Sequence, residues 1–405
     1  MTIDPFVKNF LDLVELDDQR AGVAKPPAPQ PIEEMLTVAW AVSRHPLAGG
    51  EYYRATRPAA LSSRDFGWHT AVVEQIGSVE GSKKVAGRAY GSEHTIEPDV
   101  WIFRPIGQQG KTDNWSLSTI VERCHAAGQM VICDLDDDYW AHEDFPDGAQ
   151  PEGENDDRFE EWCWKADAWL VSTPYLKKRV EEIAVRRGHP FPKVAVAPNC
   201  YDPFGLGQDS HPVPGRRIGT RLWLHGRMAG DLEIYKDCFA PLLDELDLTF
   251  VHIGAIAKAD LDAGAQYRHR SFIDDVGMPK DRVLELPSCL VPEMGKLLGS
   301  TISIAAIAMA DHPFNYAKTE THAVEVASAG LPIVAATDLE IYEDVPGRVS
   351  PDPALVAERV RELLKPEKWH YWSERSRVWA KKTAVRSEAT HLRALQSVVK
   401  ELLLH

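Results

Sequence analysis

No stretch of this sequence stays apolar for the roughly 18 to 20 residues that a membrane-crossing helix requires, so no spanning helix is expected. The opening Met-Thr-Ile-Asp-Pro has neither a basic n-region nor an apolar h-region; no secretory signal is expected, and the expected location is cytoplasmic. Cysteine is scarce and scattered. The six residues, at positions 124, 133, 163, 200, 238 and 289, make no Cys-x-x-Cys pair, and no histidine cluster stands at zinc spacing. Free thiols in a reducing compartment are the simplest account. Positive charge is also short: 45 Lys and Arg against 61 Asp and Glu leave a formal charge of −16. That argues against a broad grip on nucleic acid, because neutralised phosphates supply most non-specific affinity. Six of the arginines, Arg186, Arg187, Arg216, Arg217, Arg221 and Arg227, gather near the middle of the chain, where two domains would meet.

What the sequence does have is length and alternation. Its 405 residues, 44% hydrophobic and 26% charged, suit two globular domains that each bury a core. Residues 1–35 read as an appendage ending in the polyproline spacer Lys25-Pro-Pro-Ala-Pro-Gln-Pro-Ile32. Strands are predicted at Leu36–Val42, Thr70–Gln75, Asp99–Phe103, Met130–Asp134, Ala166–Ser172 and Val194–Asn199, with helices at Ser116–Ala127 and after Thr173. Such alternation predicts a parallel sheet. Gly49-Gly50 follows the first strand, where glycine lets backbone approach a ligand or makes a tight turn. Asp202–Arg217, rich in proline and glycine, reads as a linker. Beyond it strands are expected at Arg221–His225, Leu248–Gly254, Val283–Leu286 and Thr301–Met309, and amphipathic helices from Pro366 onward.

The stretch Asn315–Thr337 organises the second half. Its pattern predicts a polar break, a helix over Lys318–Ala329, a stop at Gly330 and a strand at Pro332–Ala336. In such a βαβ unit an anion binds at the helix N-terminus, where Lys318 and Thr319 would stand. His322 (i+4) and Glu325 (i+7) continue the stripe that Lys318 starts, about ten ångströms along the helix at 1.5 Å per residue, a span that suits a nucleoside diphosphate.

Asn315-x-x-Lys318-Thr319 followed by Glu325-x-x-x-x-Gly330-x-Pro332 resembles the donor-site segment of GT-B glycosyltransferases of the family 4 and family 1 type. Gly226-Arg227, after the expected Arg221–His225 strand, resembles the loop of that family that admits the donor phosphates. The resemblance implies two Rossmann-like α/β domains with parallel sheets facing across a cleft and a C-terminal helix crossing back to the first domain. It implies an acceptor domain over 36–210, a nucleotide-sugar donor domain over 216–365, and helices over 366–405 packing on the first domain. It further implies that Arg227 and Lys318 meet the diphosphate, with Gly226, Asn315 and Thr319 beside them, and that Glu325 bonds the ribose. The family's earlier glutamate, eight positions before the second, is Ala317 here. Asp134-Leu-Asp136-Asp137-Asp138-Tyr139-Trp140 carries a looser resemblance to glycosyltransferase-like proteins of actinobacterial and phage type.

These readings lead to an enzyme that moves a sugar from a UDP- or GDP-sugar to an acceptor hydroxyl, without a metal, the acceptor being a protein, a small molecule or a modified nucleobase. Asp136 or Asp137 would orient or deprotonate the acceptor, with Gly49, Gly50 and Asp138 on the same side. Asp-x-Asp also suits a metal-bridged donor, but the run lies in the other half of the chain from Lys318, which already offers a cation. Two alternatives remain open: a nucleotide-sugar 2-epimerase, and a nucleotide-sugar-binding protein without turnover.

Overall fold

The computed structural model describes residues 36–42, 45–47, 49–78, 82–105, 116–141, 156–202, 207, 210–222, 229–255 and 271–404. The expected appendage 1–35, most of the acidic stretch after Trp140, and the Trp223–Met228 segment with Gly226 and Arg227 lie outside them. The described residues fall into two compact units, one from Met1–Tyr139, Glu154–Asp202 and Arg386–His405, the other from Trp140–Gly153 and Pro203–Val385.

The first unit is built on eight strands: β1 (Thr37–Ala41), β2 (His69–Ser78), β3 (Val85–Ala89), β4 (Thr95–Ile96), β5 (Val100–Phe103), β6 (Met130–Leu135), β7 (Ala168–Val171) and β8 (Val194–Val196), in the order β4-β3-β2-β1-β5-β6-β7-β8. β1, β5, β6 and β7 are almost wholly buried apolar runs, as befits parallel strands covered on both faces. The helices between them are α1 (Arg57–Phe66), α2 (Leu117–Ala126), α3 (Asp156–Cys163) and α4 (Pro174–Arg187). Ser116 starts α2 by accepting from Thr119 N at 3.2 Å, and Thr173 starts α4 by accepting from Leu176 N at 3.2 Å. The sheet is parallel as expected apart from one edge, where β3 and β4 run antiparallel next to β2.

The second unit has six strands: β9 (Arg217–Arg221), β10 (Thr249–Ala255), β11 (Val283–Pro287), β12 (Ile304–Ala308), β13 (Ile333–Ala336) and β14 (Arg348–Val349), ordered β11-β10-β9-β12-β13-β14 and all parallel. β9 begins four residues before the strand expected at Arg221–His225. Its buried Ile218, Gly219 and Thr220 sit between two arginines, in the gap between the expected linker and the expected strand. The helices are α5 (Ala229–Ile234), α6 (Ala240–Glu245), α7 (Val291–Thr301), α8 (Pro313–Tyr316), α9 (Thr321–Ser328), α10 (Pro353–Leu363) and α11 (Pro366–Leu403).

The helix expected over Lys318–Ala329 starts three residues later, as α9, and the stretch read as a polar break holds a short helix of its own, α8. His312 accepts from Phe314 N through Nδ1 at 3.1 Å, Pro313 takes the first helical position, and α8 ends as Lys318 N closes on Asn315 O at 3.2 Å. Lys318, Thr319 and Glu320 connect it to α9. The expected helices beyond Pro366 are one continuous element of 38 residues, α11. Its Trp369 packs in the core of the second unit and donates Nε1–H to Ser303 O at 2.6 Å; its Leu395, Val398, Val399 and Leu402 complete the core of the first.

Candidate functional site

In each sheet the chain starts on an inner strand, works outward to one side, and then returns to that strand's other side. The reversal falls between β1 and β5 in the first unit and between β9 and β12 in the second. Loops diverge at the carboxyl ends of such strand pairs, and open α/β sheets bind ligands there. Most of the described candidate residues sit at these two places.

In the second unit Asp231, on α5, is fully buried; its Oδ1 accepts from Ala310 N at 2.7 Å and from Asn315 Nδ2 at 2.9 Å, and the same amide donates to Ala310 O at 3.0 Å. These bonds fasten the loop after β12 to α5. Asn315 is thereby a buried anchor, and among the described residues its Oδ1 accepts no hydrogen bond. Lys318 lies on the connection rather than in the first turn of a helix, with Nζ 4.3 Å from the centre of the Phe314 ring. Thr319 Oγ1 is 2.7 Å from Thr321 Oγ1. On α9, Glu325 has 0% side-chain exposure and pairs with Arg221, the last residue of β9, at 3.1 Å; His322 Nδ1 stands 3.7 Å from the same carboxylate oxygen. A solvated helix face is thus excluded for Glu325. Arg221 was legible as one of several mid-chain arginines and as the start of an expected strand.

In the first unit Gly49-Gly50-Glu51 makes a helical turn after β1, followed by a π-helical turn over Tyr52–Thr56 that leads into α1. Arg104, immediately after β5, reaches Glu51 at 3.2 Å and Asp136 at 2.5 Å. Burial works against its charge, Asp136 and Glu51 outweigh that, and its pKa is raised. Gly50 leaves room for this pair: a Cβ there would stand 3.1 Å from Arg104 Nη2 and 3.4 Å from Asp136 Oδ2. Asp134 is buried against Arg54, which grips both carboxylate oxygens and also donates to Ala197 O. Burial pushes the Asp134 carboxyl up, with Arg54 pulling the other way. Asp138 is buried too, 3.1 Å from Arg179 Nε.

The acidic run is therefore not a solvated turn. Residues two apart meet successive guanidinium groups, Asp134–Arg54, Asp136–Arg104 and Asp138–Arg179, while Asp137 is half-buried between them. The structure brings Gly50 and Asp136 together, and it turns Asp138 inward onto α4. Sequence reasoning missed Glu51, Arg54, Arg104 and Arg179. The position of Arg104 directly after the apolar Val100-Trp-Ile-Phe103 was the available signal. Among the described residues no cluster of three or more His, Cys, Asp or Glu is arranged to hold a metal.

No protein-family model and no curated protein sequence matches the chain. Solved structures do. An α,α-trehalose-phosphate synthase (UDP-forming) from Burkholderia vietnamiensis is 10% identical, with a TM-score of 0.58 over 92% of this chain and 100% of that one. The two-sheet α/β architecture is shared along the whole of that protein. This is the GT-B fold. HepE of Anabaena, solved in complex with UDP, carries the GT-B fold as well, at 14% identity and a TM-score of 0.51 over 90% of this chain and 100% of that one. The pneumococcal O-GlcNAc transferase GtfA, in complex with UDP and GlcNAc, matches at 13% identity and a TM-score of 0.48; the chain covers 64% of that protein's length.

Proposed function

We propose that this GT-B chain is a glycosyltransferase that moves a sugar from a nucleotide-sugar to an acceptor hydroxyl. The observation that carries the reading is Glu325: a carboxylate with no solvent exposure, ion-paired at the strand reversal of the second sheet, in the sequence context of a donor site. An ion-paired carboxylate is a strong acceptor for ribose hydroxyls. Lys318 and Arg227 supply positive charge as the glycosidic C–O bond breaks and the diphosphate departs. Gly226, Asn315 and Thr319 shape that phosphate end. The first unit, over 36–210, takes the acceptor, and 216–365 takes the donor.

On the acceptor side Asp136, paired with Arg104, or its neighbour Asp137, orients the attacking hydroxyl and accepts its proton. Gly49 and Gly50 admit the acceptor, and Asp138 braces the run from behind through Arg179. The donor charge is met by side chains rather than by a metal. HepE's complex with UDP makes UDP the first nucleotide to test, with GDP second. The acceptor is a protein, a small molecule or a modified nucleobase, and the reaction runs in the cytoplasm.

The experiment is mass spectrometry after incubation of the protein with UDP- and GDP-sugars, with and without extract of its host. Sugar added to an acceptor, with release of nucleoside diphosphate, is the expected result. A sugar inverted at C2 without any acceptor makes the protein an epimerase, and nucleotide binding without any product makes it a binding protein; either overturns the proposal.

A further inference from the structure

Resting on the donor-site reading above, we infer that Phe314 is a positioning residue for the diphosphate: the face of its ring steadies the Lys318 ammonium where the phosphates arrive, without neutralising its charge. Lys318 Nζ stands 4.3 Å from the centre of the ring. That is inside the roughly 6 Å over which the negative face of an aromatic ring attracts a cation. The two residues are four apart in sequence, about one helical turn, a spacing that brings side chains onto the same face.

The ring is anchored more firmly than the cation. Phe314 N–H donates to His312 Nδ1 at 3.1 Å, and Phe314 O accepts from Ala317 N–H at 3.4 Å. The next residue, Asn315, is tied to Asp231 and to Ala310 O. The ring itself is buried and packs on Ala141, the two making a small cluster of their own within the second unit. Lys318 is half-buried on the connection between α8 and α9. A lysine carries its charge on a flexible four-carbon stem, so a fixed surface that attracts the ammonium narrows where that charge stands before a ligand arrives. A carboxylate in the place of the ring would steady the ammonium too, but would cancel charge that the diphosphate needs. An aromatic face cancels none and leaves ammonium N–H groups to donate. Its attraction adds to the other contacts of Lys318 and is measured by altering the ring alone.

The test is calorimetry on the full chain, with UDP against uridine and GDP against guanosine. The proteins are wild type, Phe314→Leu, Phe314→Trp, and chains carrying mono-, di- or trifluorophenylalanine at position 314. Fluorine drains negative charge from the face of the ring and leaves its shape nearly unchanged. Wild type is expected to bind the diphosphate more tightly than the nucleoside, and that ratio reports the phosphate end. Phe314→Leu is expected to lower the ratio about two- to thirtyfold, and Phe314→Trp to keep most of it. The fluorinated rings are expected to lower it stepwise with each fluorine, a dependence that packing alone does not produce, and the steps are expected to vanish in a Lys318→Ala background. A ratio that stays level across the fluorine series overturns the inference and leaves the donor site standing. Steps that persist in Lys318→Ala overturn it as well, and so does nucleoside affinity that falls in parallel with diphosphate affinity, since the ring then serves the nucleoside. Should Phe314→Leu fail to fold, the fluorine series decides alone. A wild type that binds neither UDP nor GDP better than the matching nucleoside overturns the donor-site reading along with the inference.

Discussion

A single methyl group at Gly50 separates two properties that are usually lost together. Gly50 lies in a right-handed helical turn, where alanine is favoured over glycine by about 1 kcal/mol, yet its Cβ would press on the Arg104 guanidinium that holds Asp136. Gly50→Ala is therefore expected to unfold no lower than wild type while its sugar-transfer rate falls and its UDP affinity holds, measured by thermal melts beside product assays. Unchanged transfer would remove Arg104 and Asp136 from the acceptor side. Asp134 gives the opposite pattern. It is buried with Arg54, and breaking a buried pair costs about 3 to 5 kcal/mol, so Asp134→Asn is expected to lose about that much in urea unfolding. A loss below 1 kcal/mol would mean that Arg54 finds another partner.

At the scale of elements, α11 carries a pH dependence. Buried His391 donates Nδ1–H to Pro198 O across 2.7 Å, and burial lowers its pKa from 6.5 to about 3, Arg54 adding to the effect. Between those values the unfolded chain binds a proton that the folded one refuses. Stability therefore falls as pH drops from 6.5, by up to about 1.4 kcal/mol per pH unit. His391→Gln keeps a donor toward Pro198 and has nothing to protonate; its stability is expected to change less steeply over this range, and identical slopes would contradict the assignment.

The elements also show what a sequence carries on its face. β1, β5, β6, β12 and β13 were legible because each is an apolar run whose burial depends little on which strand lies beside it. Gly330 was legible as a helix stop, and it has φ +80° with the Arg377 guanidinium where a side chain would be. β9 was displaced by four residues because its identity as a central strand comes from β10 and β12, far along the chain. The break at Lys318 depends on an imidazole cap and a buried Asn315–Asp231 bond spanning 84 positions, neither of which leaves a periodic trace. The arginine behind each aspartate was hidden likewise, since Arg54, Arg104 and Arg179 come from three different segments.

For the molecule as a whole, ligand linkage supplies a test that needs no acceptor. A ligand that binds only the folded state, present at a hundred times its dissociation constant, stabilises by about 2.7 kcal/mol. UDP at that ratio is expected to raise the melting temperature by on the order of 5 to 10 °C. Excess EDTA is expected to leave the shift intact, and Lys318→Ala or Arg227→Ala to shrink it at the same UDP concentration. A shift abolished by EDTA and restored by Mn²⁺ would return a metal to the donor site.

The long helix α11 also places a constraint on how the protein is made. Leu395, Val398, Val399 and Leu402 are a wall of the first unit's core, yet the ribosome reaches them only after all of the second unit's sheet has been synthesised. Domains ordinarily fold as they emerge, N-terminal first. Here the core around Val38, Trp40 and Val72 gains the wall formed by Leu395, Val398, Val399 and Leu402 only after the later unit's strands have been made.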